Sequence, residues 1–527
     1  MIRSTLHLFC LAASLSFVGQ TRLSQAAEPG WSAQSAHPEQ PLLLRNPTGE
    51  LARVDLRRGG DGNTAPIRVT GLEFALSGEN PLGDLAEVTL LTGTATDGFR
   101  KAIAVGSPQA PASPLRLTCD LVLEGNRTFW LAGRLKDSAN IDHRLSALCV
   151  KVVTTSSSLV PEVKKNQAMR LGVALRRAGE DGVHTHRIPA LATSAPGALL
   201  CVYDLRRRAG RDLQEDIDIG LSRSTDGGRT WEKPRVIMDM GEYGGLPQAQ
   251  NGCSDPGIIV DPQTGEIFVF AVWMHGKTGK HQWNGDGSEA GYAIGKTAQM
   301  LVVRSKDDGL TWSQPENLTR SLKKEAWVLL APSPQQGISL ADGTLVMPVQ
   351  GRDEKGVPFA TIMTSTSHGA TWKVGESAYS EGNECQAAQL SDGRIMLNMR
   401  NDRARFRAVA VTADLGKTWT EHPTHAKALI EPNCNASLLR ITTANGNHAL
   451  LFSNPHTQKT RTRQTIQVSL DDGKTWPEPR HILLDAGAGA GYSSMTRIDH
   501  DHIGIVYEGS QAQLVFQRLG IRELLGQ

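Results

Sequence analysis

The chain has 527 residues, 39% of them hydrophobic, and 56 Lys+Arg against 54 Asp+Glu leave a formal net charge of +2. That length allows about two to four domains with real cores, which excludes a disordered or collagen-like chain. The balanced charge offers no basic excess for gripping nucleic acid, and no such partner is expected. Residues 1–26 read as an export signal. Arg3 supplies a positive start, 8–18 (LFCLAASLSFV) is apolar but too short to cross a bilayer, and Ser24-Gln25-Ala26 offers small residues for cleavage. No later run is apolar for about 18 residues, so no membrane span is expected. The mature protein is placed in the periplasm or outside the cell. Residues 38–155 alternate like strands at 67–72, 86–91, 115–123 and 127–134, which predicts a small β-sandwich. The Ser-rich stretch 156–166 reads as a linker, and deleting 27–155 is expected to leave turnover of a small soluble substrate intact. Cys119, Cys149, Cys201, Cys253, Cys385 and Cys434 are scattered without a CxxC pair, so neither a zinc site nor a disulfide scaffold is expected. A Cys119–Cys149 pair stays open.

Beyond residue 165 the chain repeats itself. Ser224-Thr-Asp226-Gly-Gly228-Arg-Thr230-Trp231 recurs as Ser305–Trp312, Thr412–Trp419 and Ser469–Trp476. A degenerate copy, Ser365–Trp372, has Ser367 in place of Asp. The pattern S/T-x-D-x-G-x-T-W is the Asp-box, a self-sealing turn. Its Ser/Thr and Asp oxygens cap backbone N–H groups, Gly takes a positive φ, and Trp is expected to pack the turn onto its own sheet. From Trp231 to Trp476 lie 245 residues in four intervals, about 61 each. With strands expected at 266–272, 300–304, 344–349 and 395–399, this period fits one four-stranded propeller blade per repeat. Residues 165–527 then hold six blades. The expected class is all-β: a six-bladed β-propeller preceded by a small N-terminal β-sandwich, the ring closed by 514–517 against 171–175. Ala290–Thr297 fits a relaxed phosphate-loop pattern, but it runs into a strand where such a loop needs a helix, and it is rejected.

A second set of residues lies outside the boxes. His186-Arg187-Ile188-Pro189 resembles the Arg-Ile-Pro motif that opens the exo-α-sialidase (neuraminidase) catalytic domain. Tyr203-Asp204-Leu205-Arg206 followed by Asp212, Asn383-Glu384-Cys385-Gln386, Asn398-Met-Arg400-Asn401, Arg461-Thr-Arg463, Gly491-Tyr492-Ser493 and Val506-Tyr507-Glu508 resemble later motifs of that family, all in family order. His186 stands where the family usually has an aromatic residue.

The resemblance implies roles. Arg187, Arg400 and Arg461 would clamp a substrate carboxylate, with Glu508 steadying Arg187. Tyr492 would be the nucleophile, Glu384 its base and Asp212 the acid, with nearby arginines favouring phenolate. Arg206 is expected on the site rim and Asp255 near the acid. Arg461 is favoured because it alone keeps the four-residue offset to Thr465-Ile466. Arg463 remains the alternative, since residues two apart share a strand face. The implied activity is hydrolysis of terminal sialic acid from sialylated glycans, with no cofactor and no metal. A trans-sialidase or a non-catalytic lectin are the alternatives, and retention of Asp212, Glu384 and Tyr492 together argues against the lectin.

Overall fold

The computed structural model describes residues 30–60, 64–164, 168–213, 215–275, 287–443, 446 and 448–527; the expected export signal lies outside them. Strand accounts for 51% and helix for 5%, so the class is all-β. Among the described residues no helix is long and apolar enough to cross a membrane.

The described residues after 168 form six four-stranded antiparallel groups. Their second strands are buried on both faces, which is why runs such as Leu199–Arg206 (LLCVYDLR) are almost continuously apolar and show no alternation. The first strand of each group lies against those of its neighbours. Thr185–Thr193 touches both Asn251–Val260 and Ser493–Arg497, and Ser437–Thr442 touches both Gly382–Gln389 and Ser493–Arg497. Each first strand has a left-handed residue in it or within four residues of one end: Ile188, Asp255, Gln335, Glu381, Asn433 and Gly491. At Ile188 and Asp255 this accompanies a bulge in the pairing. For a β-branched residue such as Ile188 (φ 56) the conformation is costly and persists only where surrounding contacts impose it. These kinks re-aim side chains at one end of the assembly, where the candidate site lies. The pairing expected between 171–175 and 514–517 is present: Val173 pairs with Phe516 and Ala174 with Val515.

The Asp-boxes form the expected turns. In the first, Ser224 Oγ accepts from Gly228 N at 2.9 Å, and Asp226 accepts from Thr230 N and Oγ1. In the degenerate copy Ser367 Oγ takes the same Thr371 N–H at 2.9 Å. Trp476 packs as expected on its own group, against Phe452 at 6.0 Å, but two other boxes differ. Trp231 stacks edge-on against Phe516 at 5.2 Å, and Trp372 against Phe268 and Phe270, all residues of a neighbouring group. A Cβ on Gly228 would strike Phe516, and one on Gly369 would strike Phe268. These boxes therefore seal one group to the next.

The N-terminal strands start earlier and end later than the sequence suggests. Trp31–Ala36 pairs with Gly49–Arg58 and, in parallel, with Glu162–Lys164. The supposed linker is thus partly strand, with Ser158–Leu159 also pairing on Arg144–Thr154. Nor is this part independent of the rest. Arg144–Thr154 and Leu42–Leu44 both pair with Met169–Arg176, making one sheet that runs into the sixth group. One apolar core, from Phe74 and Phe129 to Leu171, Tyr203 and Phe516, spans both. The six described cysteines are free, Cys119 and Cys149 included. Gly295-Lys296-Thr297 leads into the strand Gln299–Ser305, as the rejection of a phosphate loop requires.

Candidate active site

Glu508 organises one side of the site. It follows the strand His502–Tyr507 and is buried. Its Oε1 accepts from Arg187 Nε at 2.7 Å and Ile188 N at 2.9 Å; its Oε2 accepts from Arg187 Nη2 at 3.2 Å and Tyr492 N at 2.9 Å. A buried carboxylate with four donors is fully satisfied. Burial alone would raise its pKa, but the charge of Arg187 and these donors hold it below the ordinary carboxylate range. The same carboxylate thereby fixes both an arginine and the backbone of Tyr492.

Tyr492 lies between two guanidinium groups, with Arg187 Cζ 5.3 Å and Arg461 Cζ 5.6 Å from its ring centre. Its hydroxyl donates a short hydrogen bond to Glu384 Oε1. Arg400 Nη1 donates to Glu384 Oε2 at 2.7 Å and to the Tyr492 hydroxyl at 3.2 Å. Burial and then the Glu384 charge push the phenol well above its ordinary pKa. Arg400 and Arg461 pull the other way, favouring phenolate as expected, but do not prevail. The phenol is therefore neutral at rest, with an acceptor already in place.

On the opposite side, Arg206 is not a rim residue. Its side chain is 1% exposed, held by Asp204 Oδ2 at 2.9 Å and reaching Asp212 Oδ1 at 2.5 Å. Asp212, on the loop between Leu199–Arg206 and Ile217–Ser224, has a side chain 41% exposed and stands 3.8 Å from Arg187 Nη1. Asp255 is buried, and its backbone N–H donates to Asp204 Oδ1 at 3.1 Å. Burial raises both carboxyls, Asp255 furthest, because Asp204, Glu384 and Asp212 all face it and Arg206 offsets them only in part. Asp204 has the better donors, Arg206 and Ser254 Oγ at 2.6 Å, so of the two it is Asp255 whose charged form is less favoured. His186 fills the usual aromatic place as an aromatic would, edge-on to Tyr203 at 5.8 Å; burial lowers its pKa to about 4, so it is neutral.

All nine sequence-derived residues, Arg187, Arg206, Asp212, Asp255, Glu384, Arg400, Arg461, Tyr492 and Glu508, thus belong to one connected cluster. The BNR repeat-like domain family matches residues 197–506. A sialidase of Bacteroides fragilis is 42% identical over 406 residues, covering 76% of this chain and 74% of the relative. The chain belongs to the sialidase family. A sialidase of Micromonospora viridifaciens is 33% identical over 340 residues, 63% of this chain and 50% of the relative. Among solved structures, the Hadza microbial sialidase Hz136 superposes with a TM-score of 0.86 at 34% identity, covering 93% of this chain and 99% of the other. The family is one of glycoside hydrolases, and this chain is such an enzyme.

In this sialidase-family chain the two candidate third arginines separate. Arg461 donates from Nη1 to Ala490 O at 2.8 Å and from Nη2 to Asn433 O at 3.1 Å, beside Tyr492. Arg463 is left-handed (φ 61), so it does not share the face of Arg461; its side chain is 48% exposed, 3.6 Å from Glu39. Sequence reasoning missed Asn433, whose Oδ1 accepts from Arg400 Nε at 2.5 Å, and Ser254. It also missed the fully buried Arg407–Glu431 pair, which spans 2.9 Å behind Arg400. Among the described residues no three His, Cys, Asp or Glu side chains gather in a metal-holding arrangement.

Proposed function

We propose that this protein is an exo-α-sialidase that releases terminal α-linked sialic acid from sialylated glycans, with retention, through a tyrosine-linked intermediate. The observation that carries the reading is the Tyr492–Glu384 hydrogen bond set among Arg187, Arg400 and Arg461. Sialic acid carries a carboxylate on its anomeric carbon, and three guanidinium groups suit it through charge-assisted bonds. A carboxylate nucleophile would be repelled by that group; a neutral phenol is not, which is the logic of the tyrosine exception among glycosidases.

In the first step the Tyr492 oxygen attacks the anomeric carbon while Glu384 takes the phenolic proton. The glycosidic C–O bond breaks, and Asp212 gives its proton to the leaving oxygen. In the second, Asp212 removes a proton from water, whose oxygen attacks the same carbon; the tyrosyl C–O bond breaks and Glu384 returns the proton. Two inversions give net retention. Arg400 Nη1, bonded to both Glu384 and the phenol, stabilises charge as it moves between them.

We read the six strand groups as blades of a six-bladed propeller over 165–527, residues 38–155 as an N-terminal β-sandwich, and 1–26 as a signal peptide that sends the enzyme to the periplasm or beyond. The test is turnover of an aryl α-sialoside against the same aryl group on galactose, which lacks the carboxylate. Only the sialoside should react. Glu384→Gln should lose roughly 10²–10⁴ in rate, with far smaller loss of binding for a carboxylate-bearing inhibitor. Equal turnover of both glycosides would refute the reading.

A further inference from the structure

Asn433 touches two arginines in two different ways. Its side-chain Oδ1 accepts from Arg400 Nε at 2.5 Å, and its backbone carbonyl accepts from Arg461 Nη2 at 3.1 Å. The residue is left-handed (φ 58), a conformation asparagine tolerates better than most side chains. The segment around it is held from behind. Glu431 Oε2 pairs with Arg407 Nη1 at 2.9 Å, both fully buried, and Arg407 Nη1 also donates to Cys434 O at 2.8 Å. Glu431 Oε1 accepts from Asn401 N at 2.7 Å, tying the bracket to the strand that carries Arg400.

The consequence lies in how the donors of Arg400 are shared out. Its Nη1 serves Glu384 and the Tyr492 hydroxyl. With Nε held by Asn433, the plane of the guanidinium is set, and Nη2 is the nitrogen left for a ligand. Without that acceptor the group is free to turn, and its charge leaves Glu384. We infer that Asn433 is a positioning residue for the reaction. Its side chain orients Arg400 so that one guanidinium serves both the substrate carboxylate and the Glu384–Tyr492 pair, while its carbonyl orients Arg461. The inference rests on the sialidase reading given above and adds a residue to it.

Asn433→Gly separates the two contacts. Glycine keeps the left-handed backbone and the carbonyl for Arg461 but removes the oxygen that holds Arg400. Hydrogen bonds to charged groups of this kind justify an expected fall in kcat/KM of roughly 10- to 150-fold on an aryl α-sialoside, mostly in kcat. Asn433→Asp, which restores an oxygen at that place, should recover most of the lost kcat. A crystal structure of Asn433→Gly should show Arg400 turned from Glu384 and Arg461 in place. Wild-type kinetics in Asn433→Gly would overturn the inference. So would a lowered rate with an unmoved Arg400. Failure of the wild-type enzyme to turn over the sialoside would instead refute the functional reading, and the crystallographic position of Arg400 would still decide the inference.

Discussion

Replacing Arg461 and Arg463 separately by alanine separates two residues that sequence alone left in competition. Arg461 is pinned by two backbone carbonyls and lies 5.6 Å from the Tyr492 ring centre, in the partly buried wall of the site. Removing it leaves a substrate carboxylate without one of its partners in a desolvated place. Truncating one side of such a pair costs about 2–5 kcal/mol, or roughly 30- to 4,000-fold in kcat/KM at 1.4 kcal/mol per decade. Arg463 is 48% exposed on its side chain and faces Glu39 across 3.6 Å. An exposed pair of that kind is worth about 0–1 kcal/mol, so its loss should change kcat/KM less than about 5-fold. The assay is kcat/KM for both variants on an aryl α-sialoside, with folding checked by circular dichroism. A crippled Arg463→Ala beside a healthy Arg461→Ala would refute the assignment and move the third arginine by two residues.

Two further outcomes follow from the fold. Deleting 27–155 strips Leu42–Leu44 from the sixth group and uncovers Leu171, Val173, Leu175 and Leu514. At about 1.5–3 kcal/mol per exposed side chain this approaches the whole stability of a typical domain, so the truncated chain should be insoluble or melt far lower; a soluble truncation with wild-type Tm would refute the shared core. Asp307 and Asp414 have their pKa lowered to about 2 by hydrogen bonds from Thr311 and Thr418 of their own boxes. Because the folded value lies below the unfolded one, near ~3.9, their contribution is complete above about pH 4 and lost as pH falls through 2. Asp307→Asn combined with Asp414→Asn should flatten the acid limb of a Tm-versus-pH curve, and an unchanged limb would contradict the capping role.

Much of this was legible because it repeats or alternates. The Asp-boxes mark their turns by composition, and strands such as Leu115–Leu123 announce a buried face by alternation. The charged site residues were legible through motif order. Other features leave no such mark. Ile188, Gln335 and Glu381 are not residue types that signal a left-handed backbone, so the kinks in the first strands were invisible. The interior place of Arg206 depends on Asp204 and Asp212 closing around it, while its sequence neighbours Arg207 and Arg208 suggest a solvated run. Asn433 acts on Arg461 through a carbonyl, which every residue has. The continuity of the N-terminal sheet with the sixth group rests on pairing between segments more than 100 residues apart, such as Leu42–Leu44 with Leu171–Val173, and no local pattern encodes that.

The central claim is that Tyr492 attacks the anomeric carbon. The most direct measurement is mass spectrometry of the enzyme after incubation with a 2,3-difluorosialic acid, whose fluorine at C3 slows the second step so that an intermediate accumulates. The account predicts one added sugar on the peptide that contains Tyr492, no adduct in Tyr492→Phe, and recovery of activity as the adduct hydrolyses. An adduct on Glu384 or Asp212, or Tyr492→Phe turning over an aryl α-sialoside at the wild-type rate, would contradict it.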